Sequence, residues 1–151
     1  MDMIELRRRV MLSMASGNCK LLSVVNADVG TKTCVIPLNI SWFDDYSAFV
    51  IMCDVKFVDT PSTNEWFYVT YNTTATLSGR YVGVVDKVKQ SGRIMCAVGA
   101  TIFEDKIRLS KLNDVTNYDE YQIDATNNYF AVQLWTNTFE ADSTVKVYGI
   151  K

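Results

Sequence analysis

Residues 46–58 read Y-S-A-F-V-I-M-C-D-V-K-F-V, and the alternation of residue types in this stretch is the clearest indication of the fold class. Successive side chains of a β-strand point to opposite sides, so the stretch divides into two faces. One face is apolar throughout and consists of Phe49, Ile51, Cys53, Val55 and Phe57. The other face changes from apolar to charged at Asp54 and consists of Tyr46, Ala48, Val50, Met52, Asp54 and Lys56. The pattern predicts a central strand of a sheet sandwich, covered on both faces in its first half and on one face in its second.

Short strand-forming stretches follow one another along most of the chain. They are separated by turn-forming clusters of Gly, Pro, Asn, Asp and Ser, and no alternation of strands with helices occurs. The predicted strands besides the central one are residues 19–25, 32–38, 66–71, 80–89, 93–103, 107–112, 121–124, 129–136 and 144–150. Residues 113–120 are predicted to form a loop. The sequence therefore predicts an all-β protein, an antiparallel β-sandwich of the jelly-roll kind.

Residues 2–15 have the periodicity of an amphipathic α-helix that ends near Gly17. Arg7 lies near the centre of the apolar face, where a charge is costly unless it finds a partner. Two interpretations remain open: a helix on its own domain with Arg7 at the edge, or a helix docked on a neighbouring subunit with Arg7 paired across the contact. The predicted organisation is a docking helix over residues 1–17 and a β-sandwich domain over residues 18–151. The docking residues are Met3, Ile4, Leu6, Arg7, Val10, Met11 and Met14.

Composition restricts the classes of function. The 151 residues are about one domain in length, and the net charge of −2 gives no overall basic field, so we expect no nucleic-acid partner. The N-terminus has charges within its apolar run and no stretch approaches a membrane span, so we expect a cytoplasmically made protein without a signal peptide or membrane partner. The four cysteines are widely spaced and histidine is absent, which predicts no metal site and no cofactor. Cys53 and Cys96 are expected to act as small buried hydrophobes.

Catalytic motifs are also missing from the sequence. Without histidine there is no Ser-His-Asp or Cys-His arrangement, and no glycine-rich phosphate-binding motif occurs. Paired carboxylates could support glycoside hydrolysis, but adjacent acids on a strand do not point together, and acids are common in turns. We therefore expect solvated loop acids and no enzyme. These pairs are Asp44 with Asp45, Glu104 with Asp105, and Asp119 with Glu120.

Aromatic residues offer a second hypothesis, a carbohydrate-binding module that recognises host-surface glycans. Exposed Trp and Tyr side chains can stack on sugar rings. Trp66 and Tyr68 share one face of their strand, and Tyr129, Gln133 and Trp135 share the mixed face of residues 129–136. The alternative is that these rings serve core and cross-strand packing.

Two segments resemble known phage proteins. The stretch I-E-L-R-R-R-V-M-L, residues 4–12, resembles the basic, Met-rich helical start of some small virion proteins of phages and prophages. The stretch S-T-V-K-V-Y-G-I-K, residues 143–151, is similar to the closing strand of β-sandwich or jelly-roll domains in phage fibres and baseplates. The resemblance covers only these two segments, and the residues between them match no motif.

The resemblance implies a non-enzymatic structural component of a phage head or tail, of the head-fibre, decoration or tail accessory type. Its partners would be other virion proteins or its own copies in an oligomer, and its location would be the virion. The helix would attach the subunit to the particle, and the sandwich would face outward. No coiled-coil or β-helical shaft is present, which argues against a self-contained trimeric fibre.

Overall fold

Within the part of the chain that it describes, the computed structural model contains ten β-strands and one short helix, and three N-terminal residues also have helical backbone. The strands form two antiparallel sheets, one of six strands and one of four. The protein is therefore all-β, as the sequence predicts. The described residues are 4, 5, 8, 18–58, 65–74, 83–85, 92–112, 114–124 and 126–151.

The six-stranded sheet has the order β1–β10–β3–β6–β7–β8. Its last strand in sequence, β10, lies between the first and third strands, so the two ends of the described sandwich pair with each other. Cys19 of β1 is paired with Ile150 of β10. The strands are β1 (Cys19–Asn26), β3 (Ala48–Lys56), β6 (Arg93–Phe103), β7 (Lys106–Lys111), β8 (Asp114–Gln122) and β10 (Thr144–Ile150).

The four-stranded sheet has the order β2–β9–β4–β5. Pro37 lies in β2, at the edge of this sheet, where its missing N–H removes no ladder hydrogen bond from a central strand. A short helix, α1 (Trp42–Asp45), connects β2 to β3. The strands are β2 (Thr33–Leu38), β4 (Glu65–Tyr71), β5 (Gly83–Val85) and β9 (Asn128–Leu134).

The burial of β3 follows the alternation of its sequence. Its odd-numbered residues from Phe49 to Val55 face the core between the sheets. On the outer face, Ala48 is fully buried and Val50 is 3% exposed, whereas Met52 is 45% exposed. The predicted central strand, covered on both faces only in its first half, is confirmed.

The core lies between the two sheets and receives side chains from both. The cluster extends along the described chain from Ala27 to Val147 and contains Phe49 of the six-stranded sheet and Phe130 of the four-stranded sheet. The rings of Phe49 and Phe130 meet edge to face with centroids 6.3 Å apart. The resulting arrangement is sandwich-like.

Each predicted strand overlaps an observed one, but residues 80–89 are described only at β5 (Gly83–Val85), and the predicted strand at residues 121–124 is the end of the longer β8. Residues 113–120 were expected to form a loop, and this prediction was wrong because Asp114–Gln122 form β8. The segment is rich in Asn and Asp, which favour turns. The segment nevertheless forms a strand, because it pairs with β7 and this pairing supplies its backbone hydrogen bonds. The local composition does not indicate that pairing.

The predicted N-terminal helix lies almost entirely outside the described residues. Ile4, Glu5 and Arg8 have helical backbone, and the Arg8 guanidinium donates to the Glu5 carboxylate at 2.7 and 2.9 Å. The boundary between residues 17 and 18 remains a prediction. Within the described part of the chain, no helix has the length and apolarity needed to cross a membrane.

Candidate binding surface on the four-stranded sheet

Strand pairing brings the candidate aromatic residues of β4 and β9 together. Phe67 and Val69 of β4, like Phe130 and Val132 of β9, face the core. The alternate residues of both strands therefore point outward. Tyr68 is directly opposite Gln133, and the backbone N–H of Trp135 donates to the carbonyl of Trp66 at 3.0 Å. We call the outward side chains of Trp66, Tyr68, Tyr129, Gln133 and Trp135 the aromatic face.

The five residues of the aromatic face differ in how far a partner can reach them. Trp135 is 51% exposed, and its ring meets that of Trp66 edge to face at a centroid distance of 6.4 Å. Trp66 and Tyr129 are half-buried. Tyr68 and Gln133 are buried. Trp135 is therefore the side chain that a ligand would contact first, with Trp66 and Tyr129 beside it.

The side-chain amide of Gln133 is buried and lacks a hydrogen-bond partner among the described residues. Its Nε2 has no hydrogen-bond partner among the described residues, and the side chain is only 4% exposed. An unpartnered buried polar group costs about 1–3 kcal/mol of folding free energy. Such a group in a central strand needs an explanation beyond packing.

A buried carboxylate holds the end of β9 that carries Trp135. Glu65, at the start of β4, is 2% exposed. Its two carboxylate oxygens accept hydrogen bonds from the backbone N–H groups of Trp135 (2.6 Å), Thr136 (3.0 Å) and Asn137 (2.8 Å). The Thr136 hydroxyl donates at 2.6 Å, and the Asn137 side-chain amide also donates. Five donors from three consecutive residues thus converge on one side chain.

These donors also set the charge state of Glu65. Burial alone raises the pKa of a carboxyl group, because it disfavours the charged form. The hydrogen bonds from Thr136 and Asn137 outweigh that effect together, so the pKa of Glu65 lies below its ordinary value. Glu65 is therefore ionised at neutral pH, and its charge is fully engaged in holding residues 135–137.

Asn72 fixes the other end of β9 in a similar way. Its side-chain oxygen accepts the N–H of Tyr129 at 2.8 Å, and its side-chain amide donates to the carbonyl of Asn127 at 2.7 Å. Asn72 adopts a positive φ of 53°, a conformation that Asn tolerates better than most residues. Side chains at the two ends of β4 therefore position the backbone beneath Trp135 and Tyr129.

Glu65 and Asn72 are residues that reasoning from the sequence missed. Glu65 begins a strand of aromatic residues and Asn72 follows it, and each is of a type common at strand ends and turns. Their partners are 55 to 72 positions away along the chain. No local pattern could have indicated those contacts.

Of the seven predicted docking residues, Ile4 is the one that lies within the described part of the chain. It has helical backbone and is 69% exposed. The other six, Met3, Leu6, Arg7, Val10, Met11 and Met14, lie outside the described residues.

The expectation of solvated loop acids was wrong for Asp119 and Glu120, because both lie in β8 and Asp119 is buried. Cys53 and Cys96 are directly opposite each other in β3 and β6, and their hydrogen bond raises the pKa of Cys53 and lowers that of Cys96. Burial raises the pKa of the Cys34 thiol to about 11. Glu120 pairs with Arg108 at 2.9 Å. Among the described residues, no cluster of three or more Cys, Asp or Glu side chains could hold a metal ion.

Comparison with protein families, with curated proteins and with solved structures finds no match for this chain. Function must therefore be argued from the residues and their geometry.

Proposed function

We propose that the protein is a non-enzymatic structural subunit of a phage particle, of the head-fibre, decoration or tail accessory type. In this proposal the N-terminal segment attaches the subunit to neighbouring copies, and the β-sandwich faces outward. The protein is made in the host cytoplasm and ends up in the virion. The resemblance of residues 4–12 and 143–151 to phage proteins motivates the proposal.

One observation carries the assembly role. Ile4, one of the predicted docking residues, has helical backbone and an exposed side chain. An exposed isoleucine in a helical turn gains stability when a partner covers it, at about 25 cal/mol per Å² of apolar surface buried. An exposed apolar side chain at this position supports an assembly role for the N-terminal segment.

The path of the chain supports the finer assignment to the jelly-roll kind. The chain moves between the sheets, because β1 and β3 belong to the six-stranded sheet and β2 and β4 to the four-stranded one. It crosses again between β8, β9 and β10. Connections of this kind occur in Greek-key sandwiches, and jelly rolls are one class of them.

Light scattering of the purified chain tests the assembly role. We expect the full-length chain to be an oligomer, and both deletion of residues 1–15 and Ile4→Asp to give a monomer that still unfolds cooperatively. A charge at position 4 would have to be buried in the contact, which is costly. Val29→Asp is the matched control, because Val29 is 65% exposed in a loop. It should leave the oligomer intact.

Three results would contradict the proposal. A full-length chain that is monomeric would rule out assembly with its own copies. An Ile4→Asp variant with unchanged mass would remove that side chain from the contact. Loss of cooperative unfolding on deletion of residues 1–15 would make the segment part of the folded domain.

A further inference from the structure

We propose that the N-terminal segment, residues 1–17, packs across the outer face of its own six-stranded sheet and covers a second apolar cluster there. This cluster consists of Ala48, Val50 and Ile150, and we call it the outer cluster. The packing goes beyond the assembly role and does not depend on it. It would fix the position from which the segment meets a neighbouring copy.

The outer cluster is buried on the side of the sheet that faces away from the core. Ala48 and Ile150 are fully buried, and Val50 is 3% exposed. The described apolar side chains that pack on the cluster belong to strands of the same sheet or directly follow one, and they are Cys19, Ala97, Leu112 and Tyr148. Neighbours within one sheet shield a side chain only from the sides. A further layer therefore lies above the cluster.

The buried area of this outer face has a sharp boundary. Val50 is 3% exposed, whereas Met52, the next outward residue of β3, is 45% exposed. In β6 the outward Thr101, which is paired with Ala48, is 2% exposed, whereas Met95 is 69% exposed. The cover therefore lies over the end of the sheet that holds Ala48 and Thr101.

The chain enters the sheet beside the outer cluster. Cys19, the first residue of β1, is paired with Ile150. The backbone N–H of Lys151 donates to the carbonyl of Asn18 at 3.4 Å. Residues 1–17 are therefore attached to the sheet at its buried end.

The other stretches outside the described residues are attached elsewhere. Residues 59–64 and 86–91 adjoin the opposite ends of β3 and β6, where Lys56 is paired with Arg93. Residues 75–82 connect two strands of the four-stranded sheet. The remaining two stretches are single residues, too short to form a layer. Because the structure contains one chain, the N-terminal segment is the stretch best placed to form the cover.

The length of the segment fits the width of the buried area. The area extends over β1, β10, β3, β6 and β7, and the four spacings between these strands total about 19 Å. The predicted helix over residues 2–15 would be about 21 Å long. One crossing of this helix therefore reaches from β1 to β7.

The described residues of the segment indicate which side would meet the sheet. Ile4 and Arg8 have helical backbone and exposed side chains. In a helix that continues past them, Leu6 and Val10 fall on the opposite side. Apolar side chains can therefore cover the outer cluster while Ile4 points toward a neighbouring copy.

Small residues at the centre of the buried area permit a close approach. Gly99 of β6 is paired with Val50 on one side and with Ser110 on the other. Ser110 is 1% exposed. A glycine inside a strand often marks a place where another backbone comes near. Gly99 thus supports a segment that crosses the sheet at this point.

Urea denaturation of paired variants tests the packing. Val50→Asp places a charge beneath the cover, so it should lower the urea midpoint of the full-length chain by about 1 M or more. Met52→Asp is the matched control, because Met52 lies on the same face of the same strand and is half-exposed. It should lower the midpoint by less than about 0.3 M. If Val50→Asp does not fold, Val50→Thr has nearly the same shape as the original residue and gives a smaller shift to compare.

Deletion of residues 1–15 supplies the second half of the test. The truncated chain should still unfold cooperatively, at a lower urea midpoint, and should bind the dye ANS because the outer cluster is then exposed. In this background Val50→Asp should cost no more than Met52→Asp, and the smaller shift of Val50→Thr should disappear. The difference between the two backgrounds measures the coupling between residue 50 and the segment.

Three outcomes would overturn the proposal. Equal shifts for Val50→Asp and Met52→Asp in the full-length chain would mean that the outer cluster is open to water in solution. An unchanged cost of Val50→Asp after the deletion would mean that another part of the chain forms the cover. Loss of the difference between Val50→Asp and Met52→Asp in an Ile4→Asp background would mean that a neighbouring copy supplies the cover.

Failure of the assembly role gives a different result. It leaves the mass of Ile4→Asp unchanged, whatever the urea midpoints of the variants at position 50. The light-scattering mass therefore reports on assembly, and the coupling between residue 50 and the segment reports on the packing.

Discussion

Glu65 shows how one side chain can determine the position of a surface. It is a carboxylate at 2% exposure that no cation described in the structure neutralises by a salt bridge. Its charge is stabilised by hydrogen bonds from residues 135–137 alone among the described contacts. Buried charges are tolerated only with such compensation.

Replacement of Glu65 by glutamine should be costly. The variant keeps the shape, but its NH₂ group faces the backbone donors of Trp135, Thr136 and Asn137, and the charge-assisted bonds are lost. We expect a loss of about 1–3 kcal/mol in the free energy of unfolding, measured by urea denaturation. Glu104→Gln, at an exposed turn position, is the control and should change stability little. Equal stability of the two variants would show that the negative charge of Glu65 adds nothing to these hydrogen bonds.

Strand β10 depends on a close contact between the backbone of Gly149 and the ring of Tyr46. Gly149 lies in β10 opposite Phe49, beneath the ring of Tyr46. A Cβ atom at position 149 would lie 2.5 Å from Cδ1 of Tyr46, far inside van der Waals contact. Tyr46 is itself buried and packs near Phe49 at a ring centroid distance of 6.4 Å. The end of the central pair of strands therefore requires glycine.

The variant Gly149→Ala should lose about 1–3 kcal/mol of stability, because a methyl group is forced into a filled space. In a Tyr46→Leu background the same change should cost less, since the smaller side chain leaves room. Gly30→Ala is the control: its φ is +83° with open space around it, so its cost comes from the backbone and should not depend on residue 46. Additive effects of Gly149→Ala and Tyr46→Leu would disprove the contact.

At the scale of the whole molecule, titration behaviour follows from the composition and the carboxyl contacts. The chain has no histidine, so no group with an ordinary pKa near 6.5 is present. The pKa of Asp54 is lowered by its hydrogen bonds from Arg93, and that of Asp124 by the backbone N–H of Thr126. The pKa of Glu65 is lowered as well, as described above.

A carboxyl group whose pKa is lower in the folded state contributes stability above its unfolded pKa and loses it as the pH falls through the folded value. Unfolded Asp and Glu titrate at about 3.9 and 4.3. We therefore expect a urea midpoint that is nearly constant from about pH 6 to 7 and falls below about pH 4.5. Glu65→Gln should flatten this acid limb, since Glu65 is the buried member of the set. A midpoint that rises on acidification would contradict these pKa directions.

The all-β class, the positions of most strands and the two-faced burial of β3 could be predicted from the sequence. These features follow from the alternation of polar and apolar side chains along each strand. That alternation is local, so it does not depend on which strands pair with one another. Three features could not be predicted: residues 114–122 form β8, Glu65 contacts residues 135–137, and Gln133 is buried beside an exposed Trp135. Those features depend on which strands pair and in which register. Pairing and register depend on the burial of apolar faces that come from distant parts of the chain. A local sequence pattern therefore does not predict them.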